Sequence, residues 1–185
     1  MTGPSALVYP LAGLLGEPPG ERRVFPVHGA VIPLPDGLRL AEPLEGRVTI
    51  ARTNRGVLVE ARLDTALDGS CARCLRDIEV PIEVQLEEEA LPSVELTTGV
   101  PIDTAAEPDV TRLDDHHQLD VGALIGEAIS LAEPIAPLCE PDCPGLCPVC
   151  GERLGPGHQA HPDDEVDPRL EALRAFRVDG PDETG

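Results

Sequence analysis

The sequence predicts an α+β fold: an antiparallel β-sheet with one main packing helix, a Cys-rich metal-knuckle segment and a short C-terminal helix. Three observations carry that prediction. Residues 44–91 alternate apolar and polar side chains with a period of two. Residues 120–133 place their apolar side chains in a single stripe at helical spacing. Four of the six cysteines fall in Cys139-Glu-Pro-Asp-Cys143-Pro-Gly-Leu-Cys147-Pro-Val-Cys150, and the other two form Cys71-Ala-Arg-Cys74 far upstream.

The sheet is read as follows. Val48 and Ile50 alternate with Arg47, Thr49 and Ala51, and Asn54-Arg-Gly56 marks a turn. Val57, Val59, Ala61, Leu63 and Leu67 then share one parity. Past the first cysteine pair, Ile78, Val80, Ile82, Val84 and Leu86 alternate with Asp77, Glu79, Pro81, Glu83 and Gln85. Strands with this pattern bury one face only, so an antiparallel meander of at least three strands is expected. Cys71 and Cys74 then sit at the tip of a hairpin. Pro81 cannot donate to a ladder, which assigns its strand to an edge or a bulge. Pro26 and Pro33 likewise suit residues 24–34 to an edge. Upstream, residues 7–15 are apolar enough to dock as a short strand, and residues 16–23 form a loop by composition.

Between Glu87 and Asp115 there are nine acids and one base, which predicts an acidic mobile loop over about 92–118. Asp120 is placed to cap the main helix, with Val121, Leu124, Ile125, Ala128, Ile129 and Ala132 on its apolar stripe and Pro134 ending it. Asp167-Pro168 is a helix start, followed by Leu170, Leu173 and Phe176, and predicts the short C-terminal helix.

Composition sets the scale. The 185 residues suit a single domain, with its core at about 24–134 and the Cys-rich segment at 138–161. Hydrophobic residues make up 41% but aromatics only 2%, so the core must be aliphatic. With 21 Pro and 18 Gly much of the chain is irregular, a setting in which bound metal adds stability. All 14 basic residues are arginine, and the formal net charge is -20. That charge repels nucleic acid at long range and suits a basic protein partner. No stretch is apolar enough to span a membrane, and the first residues lack the basic and apolar regions of a secretory signal. A cytoplasmic location is therefore expected. Reduced thiols there favour metal over disulfides.

Eight side chains can ligate zinc: Cys71, Cys74, Cys139, Cys143, Cys147, Cys150, His158 and His161. One division makes two sites, with Cys147, Cys150, His158 and His161 in one and Cys71, Cys74, Cys139 and Cys143 in the other. A second joins Cys71, Cys74, Cys147 and Cys150. A third joins Cys139, Cys143, Cys147 and Cys150. Spacing leaves all three open, with one or two structural zinc ions. Catalytic chemistry finds no footing. The chain has no His-Glu-x-x-His, no nucleophile elbow and no phosphate-binding Gly loop. The Pro and Gly residues around Cys147-Pro-Val-Cys150 disfavour a redox helix start. No small-molecule substrate is expected.

At these residues the chain resembles the YceD family, linked to accumulation of large-subunit ribosomal RNA. The resemblance rests on Cys71-Ala-Arg-Cys74-Leu75 after a long strand and on Asp120-Val-Gly-Ala-Leu-Ile-Gly-Glu-Ala-Ile-Ser-Leu before Pro134-Ile-Ala-Pro137. It continues through Leu138–Gly151 and Val166-Asp-Pro-Arg-Leu-Glu-Ala-Leu173. Gly151-Glu-Arg-Leu-Gly155 followed by His158 and His161 departs from the family, many of whose members carry a Gly-x-Asn-Leu-Asn segment and a further Cys-x-Cys. The resemblance implies a non-enzymatic factor in large-subunit assembly that meets a ribosomal protein or ribosomal RNA. The seven arginines of residues 39–76 against five acids are the region that would meet RNA. The competing expectation is a zinc-ribbon binding module of another kind, such as a transcription-associated adaptor.

Overall fold

A computed structural model describes residues 7–159, except 104 and 106, together with 161 and 169. It has the expected α+β architecture. Strands β2 (Arg22–Ala30), β3 (Leu40–Arg52), β4 (Val57–Ser70) and β5 (Asp77–Leu91) form an antiparallel sheet in sequence order. The two-residue β6 (Thr111–Arg112) joins the far side of β5 in parallel at Ala90 and Leu91, so the sheet is mixed at that margin. A second, two-stranded sheet pairs β1 (Val8–Pro10) with β7 (Gln118–Asp120). Between β1 and β2 lies one turn of helix, α1 (Ala12–Leu15). The main helix, α2 (Val121–Ala132), follows β7 directly.

The alternation read from the sequence sorts the strands correctly. Val57, Val59, Ala61, Leu63 and Leu67 are buried, as are Val80, Ile82 and Val84. Both predicted edges are edges. β2 carries Pro26 at one margin, and β5 carries Pro81 at the other, where among the described residues its side away from β4 is joined only at Ala90 and Leu91 by β6. Asn54-Arg-Gly56 forms the β3–β4 turn, closed by the Thr53 amide on the Gly56 carbonyl at 3.0 Å. Gly46 is required by close approach. A Cβ there would lie 2.2 Å from the Arg62 carbonyl oxygen, and its φ of +143° is one that side chains resist.

Helix α2 starts where the capping residue predicts, with Asp120 Oδ1 accepting from the Ala123 amide at 3.1 Å. Val121, Ile125 and Ile129 bury as expected, whereas Ala132 is exposed. The buried face also includes Gly122 and Gly126. At Gly126 the Pro33–Pro35 segment lies against the helix, its nearest atoms 3.6 Å from where a Cβ would stand, an ordinary contact distance.

The core reaches further upstream than residue 24. Leu7, Leu11, Leu14 and Leu15 are buried in the same cluster as the sheet and α2. The acidic segment carries local structure in its described residues: a Val94–Pro101 bridge, β6, and Leu113, which is buried and donates its amide to Leu91 at 3.0 Å. The helix expected from Asp167-Pro168 lies outside the described residues.

Candidate metal centres

β4 and β5 run fourteen register pairs up to Ser70–Asp77 and close there around Cys71-Ala-Arg-Cys74, the expected hairpin tip. The tip is a knuckle. The Leu75 amide donates to the Cys71 carbonyl at 2.9 Å, and the Cys71 amide to the Arg76 carbonyl at 2.8 Å. Both sulfurs are thereby turned to one side. The same pair of bonds recurs at the second C-x-x-C. The Gly151 amide donates to Cys147 at 2.8 Å, and the Cys147 amide to Glu152 at 2.7 Å. Each knuckle needs a left-handed residue after its second cysteine. The second has Gly151 (φ +73°), but the first has Leu75 (φ +55°), which holds that conformation at a steric cost.

Where α2 ends, Pro134–Leu138 carries the chain back to the hairpin tip, and the Ala72 amide donates to the Pro137 carbonyl at 2.8 Å. This places Cys139 and Cys143 over the first knuckle. Cys71, Cys74, Cys139 and Cys143 have all four sulfurs within 4.8 Å of one another, with Cys71–Cys143 and Cys74–Cys139 each at 3.7 Å. Cys147, Cys150, His158 and His161 form a second group within the same limit, with the Cys150 sulfur 3.3 Å from His158 Nε2. The structure therefore draws together the first of the three divisions open to the sequence. The two alternatives that mix these groups are not formed. None of the six cysteines is in a disulfide.

The donor sets suit zinc. A tetrahedron with Zn–S bonds of about 2.3 Å has an S···S edge of about 3.8 Å, and a mixed S···N edge is about 3.5 Å. The observed 3.7 Å and 3.3 Å separations match both. Electrostatics agrees for the first group. Backbone N–H groups of Cys139, Cys74 and Arg73 hold the Cys71 thiol down to about 6. Burial pushes Cys139 up to about 12 and raises Cys143 as well. Four sulfurs this close cannot all ionise without a cation among them, and a divalent ion supplies that charge.

The groups differ in setting. Three of the four sulfurs of the first are buried, while Cys150 and His161 of the second are exposed. Arg153 stitches the second segment to the first knuckle, and Arg73 braces the first group internally. Arg153 Nε donates to the Cys74 carbonyl at 2.9 Å and its Nη2 to the Leu75 carbonyl at 3.2 Å. Arg73 Nη1 donates to the Cys143 carbonyl at 3.0 Å. Sequence reasoning missed Arg153, because nothing in Gly151-Glu-Arg-Leu signals a contact with a knuckle almost eighty residues upstream.

The arginines of residues 39–76 are largely spoken for. Arg39 pairs with Asp68 at 3.4 Å, and Arg55 pairs with Glu107. Arg52 turns inward to the carbonyls of Leu15, Thr53 and Gly56. With Arg73 engaged, four of the seven have partners within the fold. Among the described residues no helix is long and apolar enough to cross a membrane.

A family model described as large ribosomal RNA subunit accumulation protein YceD matches residues 59–177, a span that contains both cysteine groups. Uncharacterized proteins of Mycobacterium bovis and Mycobacterium tuberculosis are each 34% identical over 168 residues, covering 86% of this chain and 76% of theirs. One of Mycobacterium leprae is 30% identical over 128 residues, covering 68% of this chain and 55% of its own. No solved structure gives a significant match.

Proposed function

The chain belongs to the YceD family, and from that premise we propose that it is a non-enzymatic factor supporting assembly of the large ribosomal subunit and accumulation of its RNA. The observation that carries this reading is the family match across residues 59–177, which contains both candidate metal groups. Two structural zinc ions belong to the proposal. Cys71, Cys74, Cys139 and Cys143 would hold one, and Cys147, Cys150, His158 and His161 the other. Bound there, zinc supplies a cross-link in place of core. It ties the hairpin tip to the segment leaving α2, where few apolar side chains are available.

The direct partner in this reading is a basic ribosomal protein, held by charge complementarity until ribosomal RNA competes for it. Two features support this over direct RNA contact. The chain carries a formal net charge of -20. Its locally basic stretch, moreover, spends four of seven arginines on its own carbonyls and carboxylates. The chain acts in the cytoplasm, where ribosomes are assembled. Co-sedimentation tests the reading. The protein should travel with precursors of the large subunit and not with mature particles. Co-migration with RNA polymerase instead would favour the zinc-ribbon adaptor.

A further inference from the structure

The outer face of the β4–β5 hairpin sets acids against acids. Register places Glu60 opposite Glu87, Asp64 opposite Glu83 and Asp68 opposite Glu79. All six side chains are exposed. Like charges directly across an antiparallel ladder destabilise it, so each pair costs the fold something. One pair is relieved, since Arg39 meets Asp68. Glu83 receives only the neutral amide of Gln85, at 2.9 Å. Arg62 stands between the other two pairs, opposite Gln85. These carboxylates do not converge in threes as a metal site would; among the described residues the only such grouping containing carboxylates is Asp114, Asp115 and His116.

The same face runs over the margin of β5 into a groove of about 670 Å³ between β5 and α2. Its apolar lining includes Leu86, Leu124 and Leu131, the last 89% exposed. Glu83, Glu87, Glu88, Asp109 and Glu127 line it, with no arginine or histidine. Along this margin β5 has no strand partner among the described residues until Ala90. Its backbone edge is therefore open to a further strand.

We infer that the outer face of β4–β5 and the groove at its margin dock an arginine- and lysine-rich polypeptide segment with apolar side chains interspersed. The cationic side chains cover the opposed carboxylates, and the apolar ones lie on Leu86, Leu124 and Leu131. The occupant is set by charge complementarity. A second copy of this chain would bring more negative charge, and so would a nucleic acid. The inference rests on the assembly reading above and names the surface that reading needs.

Two variants test it. The face variant combines Glu60→Gln, Asp64→Asn, Glu83→Gln and Glu87→Gln. The control combines Glu21→Gln, Asp36→Asn, Asp115→Asn and Glu133→Gln, removing the same charge from other exposed positions. The probes are a fluorescein-labelled (Arg-Ala-Lys-Leu)₃ peptide and a twelve-nucleotide oligouridine, followed by anisotropy at physiological salt. The face variant should bind the peptide about tenfold more weakly, as the loss of four exposed ion pairs implies, and the control within about twofold of the parent. Its melting temperature should rise, because the opposed carboxylates are gone. Leu131→Ser, which leaves charge unchanged, should weaken the peptide about threefold. Equal weakening in face and control variants overturns the inference, and so does a face variant that melts lower, or tighter binding of oligouridine than of peptide.

A cellular readout separates the two levels. If the parent chain restores large-subunit RNA in cells lacking it and the face variant does so equally, the docking face is overturned while the assembly reading stands. If removing the chain leaves large-subunit RNA unchanged, the assembly reading falls, and the peptide titration still decides the face.

Discussion

Replacing Cys143 by serine should remove one zinc ion from the protein and leave the other. Cys143 is buried, 3.7 Å from the Cys71 sulfur, and completes a group of four. A serine hydroxyl stays protonated at neutral pH, so the first site keeps three thiolates. Structural zinc binding contributes roughly 10–16 kcal/mol, so one ligand of four is worth about 3 kcal/mol, or on the order of a hundredfold in zinc affinity. The loss should remain local. The cysteines of the first group form a cluster separate from the main core of sheet and helix. Elemental analysis of untagged protein equilibrated with a competing chelator, at a free zinc level between the two affinities, should therefore read two zinc ions per chain in the parent and one in Cys143→Ser. Far-ultraviolet circular dichroism should be unchanged. Hydrogen exchange should accelerate at the Ala72 amide, which is bonded to Pro137, and not in the β3–β4 ladder. Cys150→Ser should give the complementary loss. A parent without zinc, or a single ion lost in both variants, would refute the two-site account.

Other perturbations read other parts of the structure. Gly46→Ala forces a Cβ to 2.2 Å from the Arg62 carbonyl, so the urea midpoint should fall by the equivalent of at least ~2 kcal/mol. Leu75 is 60% exposed and left-handed, so Leu75→Gly should leave the melting temperature nearly unchanged; relief of about 1 kcal/mol of strain is offset by a more flexible unfolded chain. Leu75→Val, β-branched at the same φ, should destabilise by about 1–2 kcal/mol. In chelated protein the Cys71 thiol, held down to about 6, contributes stability that is complete above its unfolded value near 9 and is lost as pH falls through 6. Urea midpoints measured with chelator should fall across that window in the parent and less so in Cys71→Ser.

Much of this architecture was legible because it is periodic. Ile78 to Leu86 announced a one-faced strand, Pro81 its place at a margin, and Asp120 the start of α2. What escaped depends on contacts distant in sequence. Nothing local tells Cys139 to join Cys71 and not Cys147, since the choice is made by α2 returning the chain to the hairpin tip. The equivalence of Leu75 and Gly151 was hidden because leucine gives no sign of a left-handed backbone. Residues 7–15 dock as read, but only Val8–Pro10 is strand; the helical turn Ala12–Leu15 was missed because one turn is too short to show a period. Gly122 and Gly126 face inward in α2, and hydrophobic patterning does not count glycine. The opposed carboxylates on β4 and β5 become visible only with register, since Glu60 and Glu87 each read as ordinary outward residues of their own strand.

The most direct test of the account is the ratio of large- to small-subunit ribosomal RNA in cells depleted of this protein. The account predicts a fall in the large-subunit RNA, with precursor particles accumulating on sucrose gradients and recovery on re-expression of the parent chain. Recovery should be weaker with Cys143→Ser, which loosens the first metal group. An unchanged ratio in depleted cells, with normal gradients, would contradict the assembly role outright.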